Sequence, residues 1–350
     1  MAARLKNLSI RELETRLNEM GEPSFRMSQI MRWVYQKNLV DFAGMNNVAK
    51  PTRAALAREF SLAGMPALRQ LVSANRDAIK FEFGLLDSEE SVESVLLFDG
   101  KRRTACLSSQ LGCGLGCVFC ATGTMGLVRN LTQDEILGQL IGINDHLAAS
   151  GDIPVTHIVF MGMGEALSNF AAFKSSCEII MHPDGFHLSG KRITVSTAGV
   201  VPSIDRLLRD GPSVNLAISL NTYCDEKRDR LMPVNKTYPI ADLIAAAKRF
   251  RNRSELDLTF EYVVCEGEND GPEAVKELCR LLGGLACKVN VIPLNPNAGY
   301  KGRGPAPDKA WEFADRLFKK GIVATVRTSR GRDIDGACGQ LVTGLRPVMP

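Results

Sequence analysis

Three cysteines, Cys113, Cys117 and Cys120, stand in a Cys-x3-Cys-x2-Cys row inside LGCGLGCVFCATG, close behind an apolar stretch that ends at Ser108. Three thiolates can hold three irons of a cubic four-iron cluster and leave the fourth iron open to a ligand. A closed structural zinc or iron site recruits four protein donors instead. Gly112, Gly114 and Gly116 allow the chain to curl closely around a bulky inorganic core, because they lack a Cβ. Two plainer readings compete. A zinc knuckle wants a fourth Cys or His nearby, yet the nearest downstream histidine, His146, lies in a helical pattern without paired ligand spacing. A disulfide framework belongs to small secreted chains. Here 350 residues with no signal peptide and no run of eighteen apolar residues predict a soluble, cytoplasmic chain with reduced thiols and no membrane partner.

Polar tips follow several other apolar runs. THIVFMGMGEAL ends in Gly162, Gly164 and Glu165, where bare backbone beside a carboxylate suits a ligand carrying an ammonium group; a simple turn with an exposed Glu is the alternative. RITVSTAG offers Ser196 and Thr197, LAISLN offers Ser219 and Asn221, and VIPLNPNAG offers Asn295. Each is weak alone, since polar residues commonly follow strands. Their joint placement on one rim is what points to a binding site.

That rim needs a sheet beneath it. The composition, 45% hydrophobic and 23% charged, is that of a globular enzyme with one large domain and a small one. Beyond residue 103 the runs TACLSSQ, THIVFMG, RITVSTA, VNLAISL, DLTFEYVV and KVNVIPL alternate with helical segments. Strand, crossover helix and strand in repetition predict a parallel sheet, and six repeats predict an α/β fold, a partial (βα)6 barrel whose chemistry collects at the C-terminal strand ends. From Ile10 to about Phe60 the apolar positions recur at helical spacing, with Ser9 as N-cap, which predicts a compact helical module over 1–66. Residues 67–102 read as a linker with short strands, VESVLLF being the clearest, and Asp99-Gly100 marks a turn. The net charge is +4, but residues 1–80 carry 13 Lys and Arg against 7 Asp and Glu. Such a front-loaded excess suits phosphate contacts, although a solvated surface has the same composition.

From NEMGEPSFRMSQIMRWVY through SSQLGCGLGCVFCATG and MGMGE to RGRDIDGACGQL, the chain resembles the RlmN/Cfr group of radical S-adenosylmethionine (SAM) RNA methyltransferases over nearly its whole length. The resemblance implies a radical SAM barrel over 103–350, with a C-terminal extension carrying Cys338. It implies that Cys113, Cys117 and Cys120 hold one 4Fe-4S cluster, and that SAM chelates the open iron through its amino and carboxylate groups. Gly164 and Glu165 match the family's SAM-binding pair, with Ser196, Ser219, Leu220, Asn221 and Asn295 at further matching positions. Many relatives carry His where this chain has Asn221.

Cys338, in DIDGACGQL, matches the cysteine the family methylates, and Cys106, in TACLSSQ, matches its partner. C2 or C8 of adenine is an electrophilic amidine carbon and cannot attack a SAM methyl group as a nucleophile. On the family's route Cys338 first takes a methyl from one SAM, and a radical made from a second SAM activates that methyl to add to the base. Cys106 then removes the ring proton and closes a disulfide with Cys338, which is reduced before the next round. Two SAM molecules are used per turnover, and an external electron donor is required. Glu93, in VESVLL, matches a family proton acceptor; an exposed strand carboxylate is the alternative. The front module resembles the family's RNA-contacting domain, Arg327, Arg330 and Arg332 are candidates for phosphate contacts or for shaping the Cys338 loop, and the target adenosine is expected to leave its stack. Cys177, Cys224, Cys265, Cys279 and Cys287 read as small apolar residues and receive no role.

The implied partners are 23S rRNA, at an adenosine of the peptidyl transferase centre, and tRNA for some members. A monomer is expected. MGMGEAL, with Ala166 where C2 enzymes commonly have Pro, and FCATGTMGL lean toward C8 methylation; C2 is the expectation because housekeeping enzymes are the commoner class. An iron-sulfur electron carrier, a radical SAM enzyme acting on a small molecule and a plain RNA-binding protein are the rival classes. An electron carrier has no use for Cys338 or for the polar rim.

Overall fold

The computed structural model of the chain describes residues 2–297 and 299–342. Its centre is a ten-stranded sheet made of β1 (Ala67–Val72), β2 (Ala78–Gly84), β3 (Ser91–Asp99), β4 (Arg102–Cys106), β5 (His157–Phe160), β6 (Ile193–Thr197), β7 (Asn215–Ser219), β8 (Leu258–Val264), β9 (Lys288–Pro293) and β10 (Val323–Val326). The spatial order is β10-β9-β8-β7-β6-β5-β4-β3-β2-β1, so every strand lies beside its sequence neighbour. β4 to β10 are all parallel, which forces a crossover between each pair. Those crossovers hold α4 (Gln133–Ala149), α5 (Phe170–Met181), α6 (Val201–Asp210), α7 (Asp225–Leu231), α8 (Ile240–Arg253), α9 (Pro272–Leu282) and α10 (Pro307–Phe318).

The six sequence runs are β4 to β9, and the helices pack their apolar stripes on them. Ile204 and Leu207 of α6, and Leu243, Ala247 and Phe250 of α8, are buried against a sheet core that includes Val195, Leu216, Ile218, Phe260 and Val291. Two features differ from the sequence expectation. A seventh parallel strand, β10, closes the far edge; its four-residue VATV is too short to stand out beside the longer runs. Residues 67–102, expected as a linker with short strands, form three antiparallel strands, β1 to β3, continuous with the barrel sheet, with VESVLLF in β3 as expected, and the boundary at 102/103 falls inside β4. In-register pairing of Val95 with Cys106 buries this extension on the barrel, so β1 to β3 are one wall of the same layer.

The front module contains α1 (Ile10–Glu19), α2 (Phe25–Met31) and α3 (Lys50–Glu59). α1 begins at Ser9 as expected, and the cap is reciprocal: the Ser9 hydroxyl accepts from Glu12 N–H while the Glu12 carboxylate accepts from Ser9 N–H at 2.8 Å. The module docks on α4, where Gln133 Nε2 donates to the carbonyls of Lys6 and Leu8 at 2.6 and 2.9 Å. Arg4, Arg16, Arg26 and Arg32 of its basic excess are committed to ion pairs with Asp87, Glu59, Glu22 and Asp184. Among the described residues, no helix is long and apolar enough to cross a membrane.

Candidate active site

Just past β4, a hairpin of Gln110–Cys113 and Gly126–Asn130 carries the first cysteine at its end. Gly112 has φ +72°, and a Cβ there would come within 1.9 Å of the Gly126 carbonyl oxygen. Its glycine is therefore required by the hairpin itself. Cys117 lies in the following loop and Cys120 precedes a single helical turn, Ala121–Thr124. Val118 N–H donates to the Leu231 carbonyl at 3.1 Å, and Ala121 N–H to the Gly339 carbonyl at 2.7 Å, so two distant segments hold the loop.

All three thiols are half-buried and open into one cavity of about 160 Å³ at the C-terminal strand ends. The same cavity is lined by Gly164, Glu165, Ser196, Ser219, Asn221, Asn295 and Cys338. Burial raises all three thiol pKa values, Cys113 to about 11, with hydrogen bonds from the Leu115 backbone acting against it. Without a metal they rest protonated; a bound cation takes them as thiolates and releases protons. Among the described residues, no three Cys, His, Asp or Glu side chains are gathered as around a metal ion. A polynuclear core takes each thiolate at a separate corner, so its fit rests on donor type and on the shared cavity.

The rest of that cavity suits an amino acid-like ligand. Glu165 is 5% exposed, and its Oε2 accepts from Ala198 N–H at 2.9 Å while its Oε1 is buried without a partner. Burial pushes its carboxyl up to about 7, against the Ala198 and Thr197 hydrogen bonds that favour the anion. An ammonium group would satisfy the spare oxygen and restore the charge. Asn295 likewise keeps Oδ1 unpartnered. Gly164, at φ +94°, lies where a Cβ would approach Gln110 Cβ to 2.4 Å, and Gln110 Oε1 in turn accepts from Glu165 N–H at 2.8 Å. These open polar atoms, with three thiols beside them, fit a cluster and a SAM-like ligand.

Two residues of the expected rim act differently. Leu220 is fully buried and does not line the cavity; its backbone N–H donates to the Glu261 carbonyl at 3.0 Å. Asn221 lines it, but its side chain is engaged internally, Oδ1 accepting from Val263 N–H at 2.9 Å and Nδ2 donating to Met232 Sδ at 3.2 Å. Its φ of +58° is a left-handed conformation that asparagine adopts readily.

A second cavity, of about 640 Å³, runs inside the sheet and is lined by Thr104, Cys106, Thr194, Thr259, Arg102 and Cys338 among others. Cys338 is exposed and lines both cavities. Cys106, at the end of β4, is buried, and burial lifts its thiol to about 12, with Cys338 adding to the rise and Arg327 opposing it. Arg327 also lines both cavities and opposes the rise at Cys338. It therefore acts on both thiols by its charge. Arg330 pairs with Asp99 at 3.0 Å, and Arg332 is exposed beside the loop.

The Cys338 loop is tied on several sides. Asn295 Nδ2 donates to the Cys338 carbonyl at 3.0 Å, Thr122 Oγ1 to the Leu341 carbonyl at 2.7 Å, and Gln340 Nε2 to the Pro296 carbonyl at 3.0 Å. Glu93 belongs to this clamp. It is 6% exposed, pairs with Lys80 at 2.8 Å and accepts from Val342 N–H at 2.9 Å. It lines neither cavity, and its burial rules out the exposed strand carboxylate considered from sequence. Glu93→Ala is expected to cost about 3 kcal/mol by leaving Lys80 buried without its partner. It should also speed alkylation of Cys338 by iodoacetamide, and an unchanged alkylation rate would remove Glu93 from the clamp.

Other contributors were not singled out from sequence. Arg228, fully buried, donates to the carbonyls of Leu220, Ser219 and Ala198 and to Asn235 Oδ1, bracing the ends of β6 and β7. In DEKRDRL it looks like one more surface charge. Glu261 had a signal: it is a carboxylate inside the apolar strand run LTFEYVV.

The comparisons agree with this geometry. Residues 3–62 match the model for the ribosomal RNA large subunit methyltransferase N-terminal domain, and residues 107–282 match the radical SAM superfamily. The chain is 42% identical to a protein named dual-specificity RNA methyltransferase RlmN from Anaeromyxobacter sp. (strain Fw109-5), covering 96% of this chain and 90% of the relative. It is also 42% identical to the protein of that name from Geobacter sulfurreducens, covering 99% and 94%. A crystal structure of a radical SAM methyltransferase from Sphaerobacter thermophilus superposes with a TM-score of 0.90 at 42% identity, covering 97% of this chain and 99% of the other. With both of its parts matched in order and relatives similar end to end, the chain belongs to the RlmN family of radical SAM RNA methyltransferases.

Proposed function

We propose that this protein methylates C2 of an adenosine in 23S rRNA, and an adenosine of the tRNA anticodon loop, through a methyl group carried on Cys338. The observation that carries this reading is that Cys338 borders both cavities, the one with the three cysteines and Glu165 and the one with Cys106. When bound, the cluster and SAM supply a methyl group and, after reduction, a 5'-deoxyadenosyl radical. Cys113, Cys117 and Cys120 hold the cluster, while Glu165 and the open Asn295 oxygen receive the ligand's N–H groups.

Cys338 accepts the methyl on sulfur, and the Arg327 charge lowers the cost of its thiolate. Cys106 rests as a thiol and must lose its proton before it can attack the Cys338 sulfur. The same guanidinium favours that loss. Attack joins the two sulfurs and breaks the Cys338 S–C bond; the carbon leaves with the bonding electron pair and takes up a proton to become the methyl group of the freed base, and the new disulfide is reduced by the external donor before the next round. The dual-specificity RNA methyltransferase name of the relatives supports more than one RNA substrate, and C2 is the first reading because housekeeping enzymes are the commoner class. Ala166 of MGMGEAL favours C8 as the second reading.

Chromatography of nucleosides from rRNA and tRNA of cells with and without this chain, against 2- and 8-methyladenosine standards, tests both. The expected outcome is loss of 2-methyladenosine from both RNAs on deletion. Loss of 8-methyladenosine would move the reading to C8, and no change in either would end it.

A further inference from the structure

Between the two cavities lies a carboxylate that the steps above do not use. Glu261, on β8, is 6% exposed and lines both cavities, together with Arg327 and Cys338. Its Oε1 accepts from Asn290 Nδ2 at 3.1 Å, and Asn290 Oδ1 accepts from Thr325 Oγ1 at 2.7 Å. The three residues are in register across β8, β9 and β10, so sheet geometry fixes the relay. Its Oε2 is buried with no hydrogen-bond partner.

A buried carboxylate oxygen without a donor is costly, and such groups persist where a ligand supplies the donor. Arg327 provides charge balance without filling that place, since its side-chain hydrogen bond runs to Met161 Sδ. The adjoining space of about 640 Å³ accommodates a nucleoside, and Thr104, Thr194 and Thr259 line it with hydroxyls.

We propose that Glu261 reads the target base: its Oε2 accepts a hydrogen bond from the exocyclic amine of the adenine seated beside Cys338, while Asn290 and Thr325 hold Oε1. This rests on the RNA methylation reading and adds the group that distinguishes adenine from a purine without the amine. Glu261→Gln tests it with little change of shape. An amide offers one acceptor where the carboxylate offers two, so either Asn290 Nδ2 or the base amine then meets a donor.

The assay uses the full, cluster-loaded protein with two RNA fragments, one carrying adenosine and one purine riboside at the target position. Methylation of Cys338 is followed separately by intact-protein mass. The native chain is expected to prefer adenosine by about a hundredfold in kcat/KM. Glu261→Gln should bring adenosine down to the level of purine riboside, leave purine riboside within about twofold, and leave Cys338 methylation unchanged. Thr325→Val, on the edge strand, removes the outer link and should lower the preference by about threefold.

An unchanged preference in both variants overturns the assignment. So does a parallel fall in Cys338 methylation, which would put Glu261 in the SAM site. A native chain that methylates Cys338 but neither RNA overturns the RNA reading itself, an outcome visible before any variant is made.

Discussion

Cys106→Ala is expected to leave the protein covalently attached to its RNA. Cys106 is at the end of β4 beside the cavity that Cys338 also lines, with Arg327 lining the same space. Without its sulfur, nothing at that position can attack Cys338 and break the bond joining the carried carbon to the base. Turnover should fall by on the order of 10³-fold or more, while methylation of Cys338 continues at its native rate. Denaturing gels with labelled RNA should show an adduct approaching one per protein. A small buried thiol replaced by alanine costs about 1 kcal/mol, too little to unfold the chain. Released, fully methylated RNA at the native rate would remove Cys106 from the reaction.

Cys117→Ala is expected to abolish iron binding and RNA methylation without unfolding the cysteine loop. Loss of one of three thiolates leaves a cubane with two protein ligands, so the reconstituted variant should lack the broad visible absorption of the cluster. RNA methylation should drop by at least about 10³-fold. The loop is tied by Val118 to Leu231 and by Ala121 to Gly339, contacts that do not involve the Cys117 sulfur. The variant should therefore melt within about 2 °C of the metal-free native protein. A variant that retains four irons would exclude Cys117 as a ligand. One that binds a single zinc through the remaining residues would revive the zinc knuckle.

Much of the site was legible because its signals are local. The Cys-x3-Cys-x2-Cys spacing, the glycines of MGMGE and the polar tips of the apolar runs follow directly from chain order. Parallel strands with crossovers bring those tips to one rim whatever the details of packing. The period of the apolar residues likewise fixed the helices of the front module and the six central strands, since burial of one face is a short-range pattern.

Pairing across the chain was not legible. Residues 67–102 read as a linker with short strands rather than as part of the sheet because antiparallel addition to β4 is a long-range register, and alternation within β3 does not name its partner. Glu93 looked like an exposed carboxylate or a base, and only the approach of Lys80 and Val342 makes it a clamp. Arg327 was a candidate for phosphate contacts or for shaping the Cys338 loop, and only the fold makes it line both cavities.

The amino-acid order alone determined which ligands were on offer and on which end of the sheet they gather, because spacing and periodicity are properties of neighbouring residues. Tertiary structure decided which groups meet. It brought Cys338, Cys106, Arg327 and Glu261 from separate elements to line the same interior space, and it engaged Asn221 and Glu93 internally, because burial and long-range register exist only once the chain has closed on itself.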